Sequence, residues 1–341
     1  MQLRDWQINS NPTAMNRKRK ILFRADAGST IGYGHFIRSL ALADMLKKEF
    51  DCTFFTQIPT EYQKKEAMPV CRLVELPNDE SKFQRFLDYL TGKEIVVLDN
   101  YFFTTEYQRA IKAKGCQLVC IDDMHDKHYV ADVVINHGCH RAELFDVEPY
   151  TSLCLGLEWA LLRKPFLEAA QQPRSPKHVD KIEKTVVCFG GSDTMHLTEK
   201  AITELMPIHD IQSINAIVGN HFDTFQQFED SRVHFHQNIS AQAVAELFTA
   251  CDLAVVSASS VCIEALACGA KVAAGWYVEN QKEIYDLCVQ LNLIIGLNHL
   301  SDASFISIFN SDMNRKNHST TCNSLFTNIK NNYVNLFKSC H

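Results

Sequence analysis

The sequence predicts an α/β protein made of two doubly wound, Rossmann-like halves that face each other across a cleft. Three observations predict it. Short apolar runs alternate with amphipathic ones along most of the chain, the grammar of parallel strands joined by helices. A polar stretch carrying two prolines, Leu167 to Lys181, interrupts that grammar near the middle. Glycine- or serine-rich turns follow the apolar runs, and open parallel sheets bind ligands beyond the C-terminal ends of their strands.

In the first half, KILFRADA (Lys20 to Ala27) is a short apolar run bounded by Gly28 and reads as a buried strand. The loop GSTIGYGH follows, then a helix over FIRSLALADMLKKEF, with apolar residues at Ile37, Leu40, Leu42 and Leu46. CTFFTQ and EIVVLDNY are the next strands, TTEYQRAIKAKG a helix stopped by Gly115, and QLVCIDD a strand. ADVVINHG and SLCLGLEW complete the strand candidates of this half.

The second half restarts the pattern. KTVVCFGGSD is a strand running into a Gly-Gly turn, followed by a helix over TEKAITELM and a strand over SINAIVGN. VHFHQNI is a short strand, SAQAVAELFTAC a helix with Ser240 as N-cap, and DLAVVSASS a strand ending in small hydroxyl residues. SVCIEALACGA, KVAAGWYV and ENQKEIYDLCVQLN read as helix, strand and helix, and a helix near SLFTNIKNNYVNLF closes the second half. The expected division is an extension over 1–18, a first domain over 19–166, a linker over 167–182 and a second domain over 183–335. Met15 opens MNRKRKILFRADAG and reads as the natural start of translation, with an ordered N-terminal arm as the alternative.

Composition narrows the function classes. With 341 residues the chain suits two domains, each able to bury a core. A net charge of −6 gives no global basic field for nucleic acid or anionic lipid. No run approaches the roughly 18 apolar residues of a membrane span, and the polar N-terminus lacks a signal-peptide core. The 13 cysteines include several inside apolar runs and form no C-x-x-C pair, which reads as reduced thiols and a cytoplasmic setting.

Four constellations carry chemistry. The first is RADAGSTIGYGHFIRS, Arg24 to Ser39. Gly28, Gly32 and Gly34 allow close backbone approach to a ligand. His35 then falls at a helix start beside the cleft, where the dipole favours a neutral imidazole able to act as a general base. Arg24, Asp26 and Arg38 place polar groups nearby; the bland alternative is that His35 only packs at the helix end. The second is CFGGSD, where the N–H groups of Gly190 and Gly191 suit an anion, although an empty tight turn explains it equally well. The third is VVSASSVCIEALACG: Ser257, Ser259 and Ser260 stand where phosphate oxygens can be held. Glu264, one helical turn on, can accept from two ribose hydroxyls or simply sit in solvent. The fourth is WYVENQ, where Asn280 and Gln281 suit sugar hydroxyl or acetamido recognition, with Asn280 as N-cap the rival. Tyr101, at the end of a strand, is placed to join them, with a packed tyrosine the rival. Asp122 and Asp123 form no completed metal cluster, and no cofactor motif is present.

Taken together, Arg24, Asp26, Ile31, Gly32, Gly34, His35 and Arg38, then GGSD, SASSVCIEA and YVENQ, resemble the pseudaminic acid pathway hydrolases (PseG), the UDP-2,4-diacetamido-2,4,6-trideoxy-β-L-altropyranose hydrolases. The resemblance covers roughly residues 20 to 300. Its late serine/glutamate segment is shared with two-domain glycosyltransferases such as MurG. It implies a GT-B-like architecture, with UDP held by the second domain through Gly190, Gly191, Ser257, Ser259, Ser260 and Glu264. It implies a metal-independent hydrolase, using water and needing no cofactor, that cleaves the anomeric C–O bond with inversion. His35 maps to the base, and Tyr101 and Asn280 to the sugar site, with Arg24, Asp26, Gly34, Arg38 and Gln281 beside them. Where the family pattern often has Asp-His-Tyr, this chain has Asp99-Asn100-Tyr101. Two other readings are a UDP-sugar glycosyltransferase of the same fold, separated by its products, and a nucleotide-sugar-binding protein without turnover.

Overall fold

The computed structural model describes residues 18–28, 32–172, 181–191, 193–219, 222–223, 225–309 and 322–340. The expected extension (apart from Lys18), Ile31 and half of the expected linker (173–180) lie outside the described residues.

The first sheet has seven strands: β1 (Lys20–Arg24), β2 (Asp51–Gln57), β3 (Arg72–Leu76), β4 (Ile95–Leu98), β5 (Gln117–Ile121), β7 (Val133–Asn136) and β9 (Ser152–Leu155). A separate pair, β6 (His128–Tyr129) and β8 (Asp146–Val147), flanks it. The second sheet has six: β10 (Lys184–Cys188), β11 (Ser213–Val218), β12 (Val233–Gln237), β13 (Leu253–Ser257), β14 (Lys271–Trp276) and β15 (Ile294–His299). Their orders are β3-β2-β1-β4-β5-β7-β9 and β12-β11-β10-β13-β14-β15, with every pairing parallel. In each sheet the order reverses beside the first strand. That puts a crevice at the C-terminal ends of β1 and β4, and another at those of β10 and β13.

Helices cover the sheets: α1 (Gly34–Leu46), α2 (Glu61–Ala67), α3 (Ser81–Asp88), α4 (Thr105–Ala113) and α5 (Lys164–Ala170) in the first half. The second half carries α6 (Leu197–Leu205), α7 (Ala241–Ala250), α8 (Ser260–Ala267), α9 (Lys282–Gln290), α10 (Cys322–Thr327) and α11 (Ile329–Ser339). Central strands are buried along their length, as the continuous apolar runs require: β4 is Ile-Val-Val-Leu and β13 Leu-Ala-Val-Val-Ser, each residue buried. Between α1 and the sheet, Phe36 packs on Phe54, ring centroids 4.8 Å apart, and Phe23 stacks on Phe54 at 6.0 Å.

Two departures from the sequence reading are informative. α5 begins at Lys164 with Pro165 in its first turn, so the expected linker starts inside a helix. α11 does not close the second half. Its apolar stripe Ile329, Tyr333 and Phe337 is fully buried, and Phe337 meets Phe50 at 6.2 Å. Tyr333 donates to the carbonyl of Trp159, and Lys338 pairs with Glu49 at 2.8 Å. The end of the chain therefore crosses back and seals the outer face of the first half.

Candidate active site

The loop after β1 and the ends of β4 and β5 build one polar cluster around α1. Asp99, just past β4, is 1% exposed and gathers donors. Its Oδ1 lies 2.7 Å from His35 Nδ1, and its Oδ2 accepts from Arg38 Nε at 2.7 Å and from Ser39 Oγ at 2.9 Å. Burial alone would raise the Asp99 carboxyl, but Arg38 and His35 hold it far below the usual carboxylate range. An ionised carboxylate only accepts, so the proton at this contact sits on His35 Nδ1. Arg38 Nη2, 3.1 Å from the same nitrogen, is then a neighbour and not its hydrogen-bond partner. In its neutral form the imidazole then keeps its lone pair on Nε2, which has no protein partner among the described residues. That is the arrangement of an oriented general base.

Arg38 also donates from Nη1 to Asp123 Oδ2 at 2.9 Å. Asp123 and Asp99 keep the guanidinium charged although burial opposes it. Tyr101 lies edge-on to His35, centroids 4.6 Å apart, and its hydroxyl donates to Asp123 Oδ2 at 3.1 Å. Burial and the nearby Asp123 push that hydroxyl up to about 12, so it stays a donor at working pH. The same hydroxyl accepts from Asn280 Nδ2 at 3.1 Å. Asn280 stands between β14 and α9, so two residues expected in the sugar site meet directly across the cleft.

Arg24 and Asp26, expected to touch a ligand, are instead fully buried. Arg24 Nη2 donates to Asp26 Oδ2 at 2.7 Å, and its guanidinium lies 5.5 Å from the Phe103 ring centroid. Asp26 also accepts from the Gln57 backbone at 2.8 Å and from Lys82 Nζ at 3.3 Å. The reason is topological: Arg24 ends the central strand β1, in register with Phe55 and Leu98, so strands flank it on both sides and its side chain is fully buried. Asn100 Oδ1 accepts from the Asp26 backbone at 2.6 Å, tying the end of β1 to that of β4. These residues brace the floor of the site. Gly34 opens α1, and a Cβ there would meet nothing within 4 Å.

In the second half, Gly190 and Gly191 follow β10 with open space above both. Gly190 has φ +89°, a conformation glycine adopts without strain. Ser257 ends β13 and its hydroxyl lies 3.1 Å from that of Ser259. Ser259 precedes α8 without capping it by its side chain, and Ser260 is exposed. Both oxygens of Glu264 are already engaged: Arg163 Nε and Nη2 each donate to one at 2.9 Å. Gln281 is buried, and its Oε1 accepts from the Tyr277 backbone at 3.1 Å, so that oxygen braces its own turn. Asp122 accepts from the backbones of Met124 and His125 and from Tyr129. Among the described residues no group of three or more His, Cys, Asp or Glu is placed to hold a metal ion, and no helix is long and apolar enough to cross a membrane.

Sequence reasoning passed over Asp99 as a partner of His35, Arg163 as a partner of Glu264, and Asp123 and His137 as part of the cluster. Asp99 carried one available signal, its place beside Tyr101 at the end of an apolar run.

No family model matches the chain. It is similar to UDP-2,4-diacetamido-2,4,6-trideoxy-beta-L-altropyranose hydrolase of Campylobacter jejuni, 26% identical over 274 residues, 77% of this chain and 93% of that protein. It is also similar to the spore coat polysaccharide biosynthesis protein SpsG of Bacillus subtilis, 24% identical over 80% of this chain and 83% of that one. An uncharacterised protein of Methanocaldococcus jannaschii is 24% identical over 86% of this chain, which spans 63% of that longer protein. Among solved structures, MurG of Acinetobacter baumannii superposes with a TM-score of 0.61 at 12% identity, over 94% of this chain and 99% of that one. Anabaena Alr3699/HepE in complex with UDP gives 0.58 at 14% identity, over 94% and 98%. The fold is GT-B: two Rossmann-like units with parallel sheets.

Proposed function

We propose that this protein is a UDP-sugar hydrolase. It cleaves the anomeric C–O bond of a UDP-activated diacetamido-trideoxyhexose with inversion, releasing UDP and the free sugar for nonulosonic (pseudaminic) acid synthesis in the cytoplasm. The observation that carries the reading is the Asp99–His35 contact at 2.7 Å, which leaves the Nε2 lone pair as the base. The similarity to the Campylobacter hydrolase supports the substrate class.

In this reading the first domain, 19–166, supplies the base and the sugar pocket, and the second, 183–335, holds UDP beyond the linker at 167–182. His35 Nε2 takes a proton from water as the water oxygen bonds to the anomeric carbon. The C–O bond to the diphosphate breaks on the opposite face, its electron pair leaving on the UDP oxygen, through an oxocarbenium-like centre. The amides of Gly190 and Gly191 and the start of α8, with Ser257, Ser259 and Ser260, stabilise the charge that grows there. Glu264 accepts from the ribose hydroxyls with the lone pairs that its two bonds from Arg163 leave, and Tyr101 and Asn280 part to admit the sugar. No step uses a metal or another cofactor. Incubation with UDP-2,4-diacetamido-2,4,6-trideoxy-β-L-altropyranose in EDTA, followed by NMR, is expected to show free inverted sugar and UDP. UDP binding without turnover would sink this substrate and leave a different sugar, a transferase needing an acceptor, or a nucleotide-sugar-binding protein; no UDP binding would sink all of these.

The phosphate turn provides a second prediction. A Cβ on Gly219 would fall 1.8 Å from the Gly191 carbonyl oxygen, a backbone atom that must move to admit it. Gly219→Ala is expected to displace the Gly190–Gly191 turn and weaken UDP binding about tenfold or more, roughly the loss of one or two charge-assisted hydrogen bonds. Calorimetric titration with UDP checks it; unchanged affinity would remove the turn from the nucleotide site.

A further inference from the structure

His137 is not used by the reaction above, yet it sits in the same cluster. It follows β7, is 7% exposed, and its Nδ1 is buried with no partner among the described residues. Its turn is held firmly: Asn136 Oδ1 accepts from the backbones of Gly138 and Cys139, each at 2.9 Å. A Cβ on Gly138 would lie 2.6 Å from Ile284 of α9, so this turn is pressed against the second half of the molecule.

The neighbouring strand end carries a matching orphan. Asp123 uses Oδ2 for both Arg38 and Tyr101, while its Oδ1 is buried and unpartnered among the described residues. Strands β5 and β7 pair in register at Ile121 and Ile135, and the Asp122 amide continues that ladder to the Ile135 carbonyl. Asp123 and His137 are thus two residues beyond the same register pair, on adjacent strand ends. Burial, then the charge of Arg38, push His137 down to about 4, with Asp123 and Asp99 pulling the other way. Its imidazole is neutral at working pH.

Buried polar atoms without partners cost about 1–3 kcal/mol each, and native sites keep them where a ligand or a water supplies the missing bond. Here a carboxylate oxygen needs a donor, and a neutral imidazole beside it can donate. A secondary amide offers N–H and C=O from two atoms at once. A ring hydroxyl must serve both partners from one oxygen. We propose that Asp123 and His137 form the subsite that recognises an N-acyl substituent on the sugar ring: Asp123 Oδ1 accepts the amide N–H and His137 donates to its carbonyl. This rests on the UDP-sugar reading and adds a specificity-determining residue to it.

The test compares the diacetamido nucleotide sugar with two analogues carrying a hydroxyl in place of one acetamido group. KM and kcat are measured separately, and UDP affinity by calorimetry. The wild-type protein is expected to prefer the amide at one ring position by about tenfold or more in KM. His137→Phe is expected to erase that preference and leave UDP affinity unchanged, and His137→Asn, which keeps a neutral donor, to restore part of it. A preference that survives His137→Phe overturns the subsite and leaves the two orphan atoms to water. A wild-type enzyme that hydrolyses all three substrates equally overturns it while sparing the hydrolase reading. A wild-type protein that neither binds UDP nor turns over removes both. Loss of UDP binding in both variants would make His137 a packing residue and overturn the subsite.

Discussion

His35→Ala is expected to lower kcat about a thousandfold, while UDP affinity and the unfolding midpoint stay close to wild type. General-base catalysis by a positioned imidazole contributes about 10²–10⁴, and the geometry puts His35 at the effective end of that range. Its Nδ1 proton is fixed by Asp99, held ionised by Arg38, and Ser39 and Arg38 fix the carboxylate in turn. Asp99→Asn is the sharper probe. A carboxamide can offer N–H to Nδ1, which moves the imidazole proton to Nε2 and removes the base without removing the ring; a loss of about 10³–10⁴ is expected. Steady-state kinetics by NMR or a coupled UDP assay read both variants. If folded His35→Ala retained near-wild-type turnover, the base assignment would be abandoned. If Asp99→Asn were silent, Asp99 would be a structural acceptor only.

How much of this was legible in the sequence depends on how local each signal is. Strands such as Ile95–Leu98 and Leu253–Ser257 are apolar throughout because helices cover both faces, and that is visible in the chain itself. Edge strand β3, Arg-Leu-Val-Glu-Leu, mixes charge with apolar residues and shows no such run. β15 was passed over as well. His35 stood out through its glycines, but its partner Asp99 is 64 residues away and is delivered by the pairing of β1 with β4. Arg163 sits two residues before a proline in an unremarkable stretch and acquires meaning only when the two halves meet at Glu264. Arg24 and Asp26 show the opposite failure. Charged residues beside a glycine loop read as ligand contacts, yet a residue ending a central strand has protein on both sides, and charge there must be neutralised internally.

That internal neutralisation sets the second large effect, Arg24→Met. Both side chains of the Arg24–Asp26 pair are fully buried, and removing the cation strands a carboxylate served, among the described residues, by the Gln57 amide and by Lys82 at 3.3 Å. Breaking one half of a buried pair costs about 3–5 kcal/mol, whereas replacing both halves is often near neutral. Arg24→Met is therefore expected to lose that much stability in denaturant unfolding, and Arg24→Met/Asp26→Asn to recover at least half, since the amide oxygen still accepts from Gln57. The pH dependence separates this from lost packing. Burial would raise Asp26, but Arg24, Gln57 and Lys82 hold it below its ordinary value in the wild type. The stability it contributes is therefore present above the usual carboxylate pKa of about 3.9 and is lost as pH falls through its lowered folded value. Without Arg24 the carboxyl rises above its unfolded value, so the penalty is full at neutral pH and fades in acid, where both states are protonated. A deficit that stayed constant from pH 7 to pH 4 would point to the missing side-chain volume and not to the stranded charge. The same measurement bears on the site, because Asn100 grips the Asp26 backbone next to Asp99. If the carboxylate shifts to find water, the base loses its orientation, and turnover is expected to fall along with stability in Arg24→Met and to return with it in the double variant.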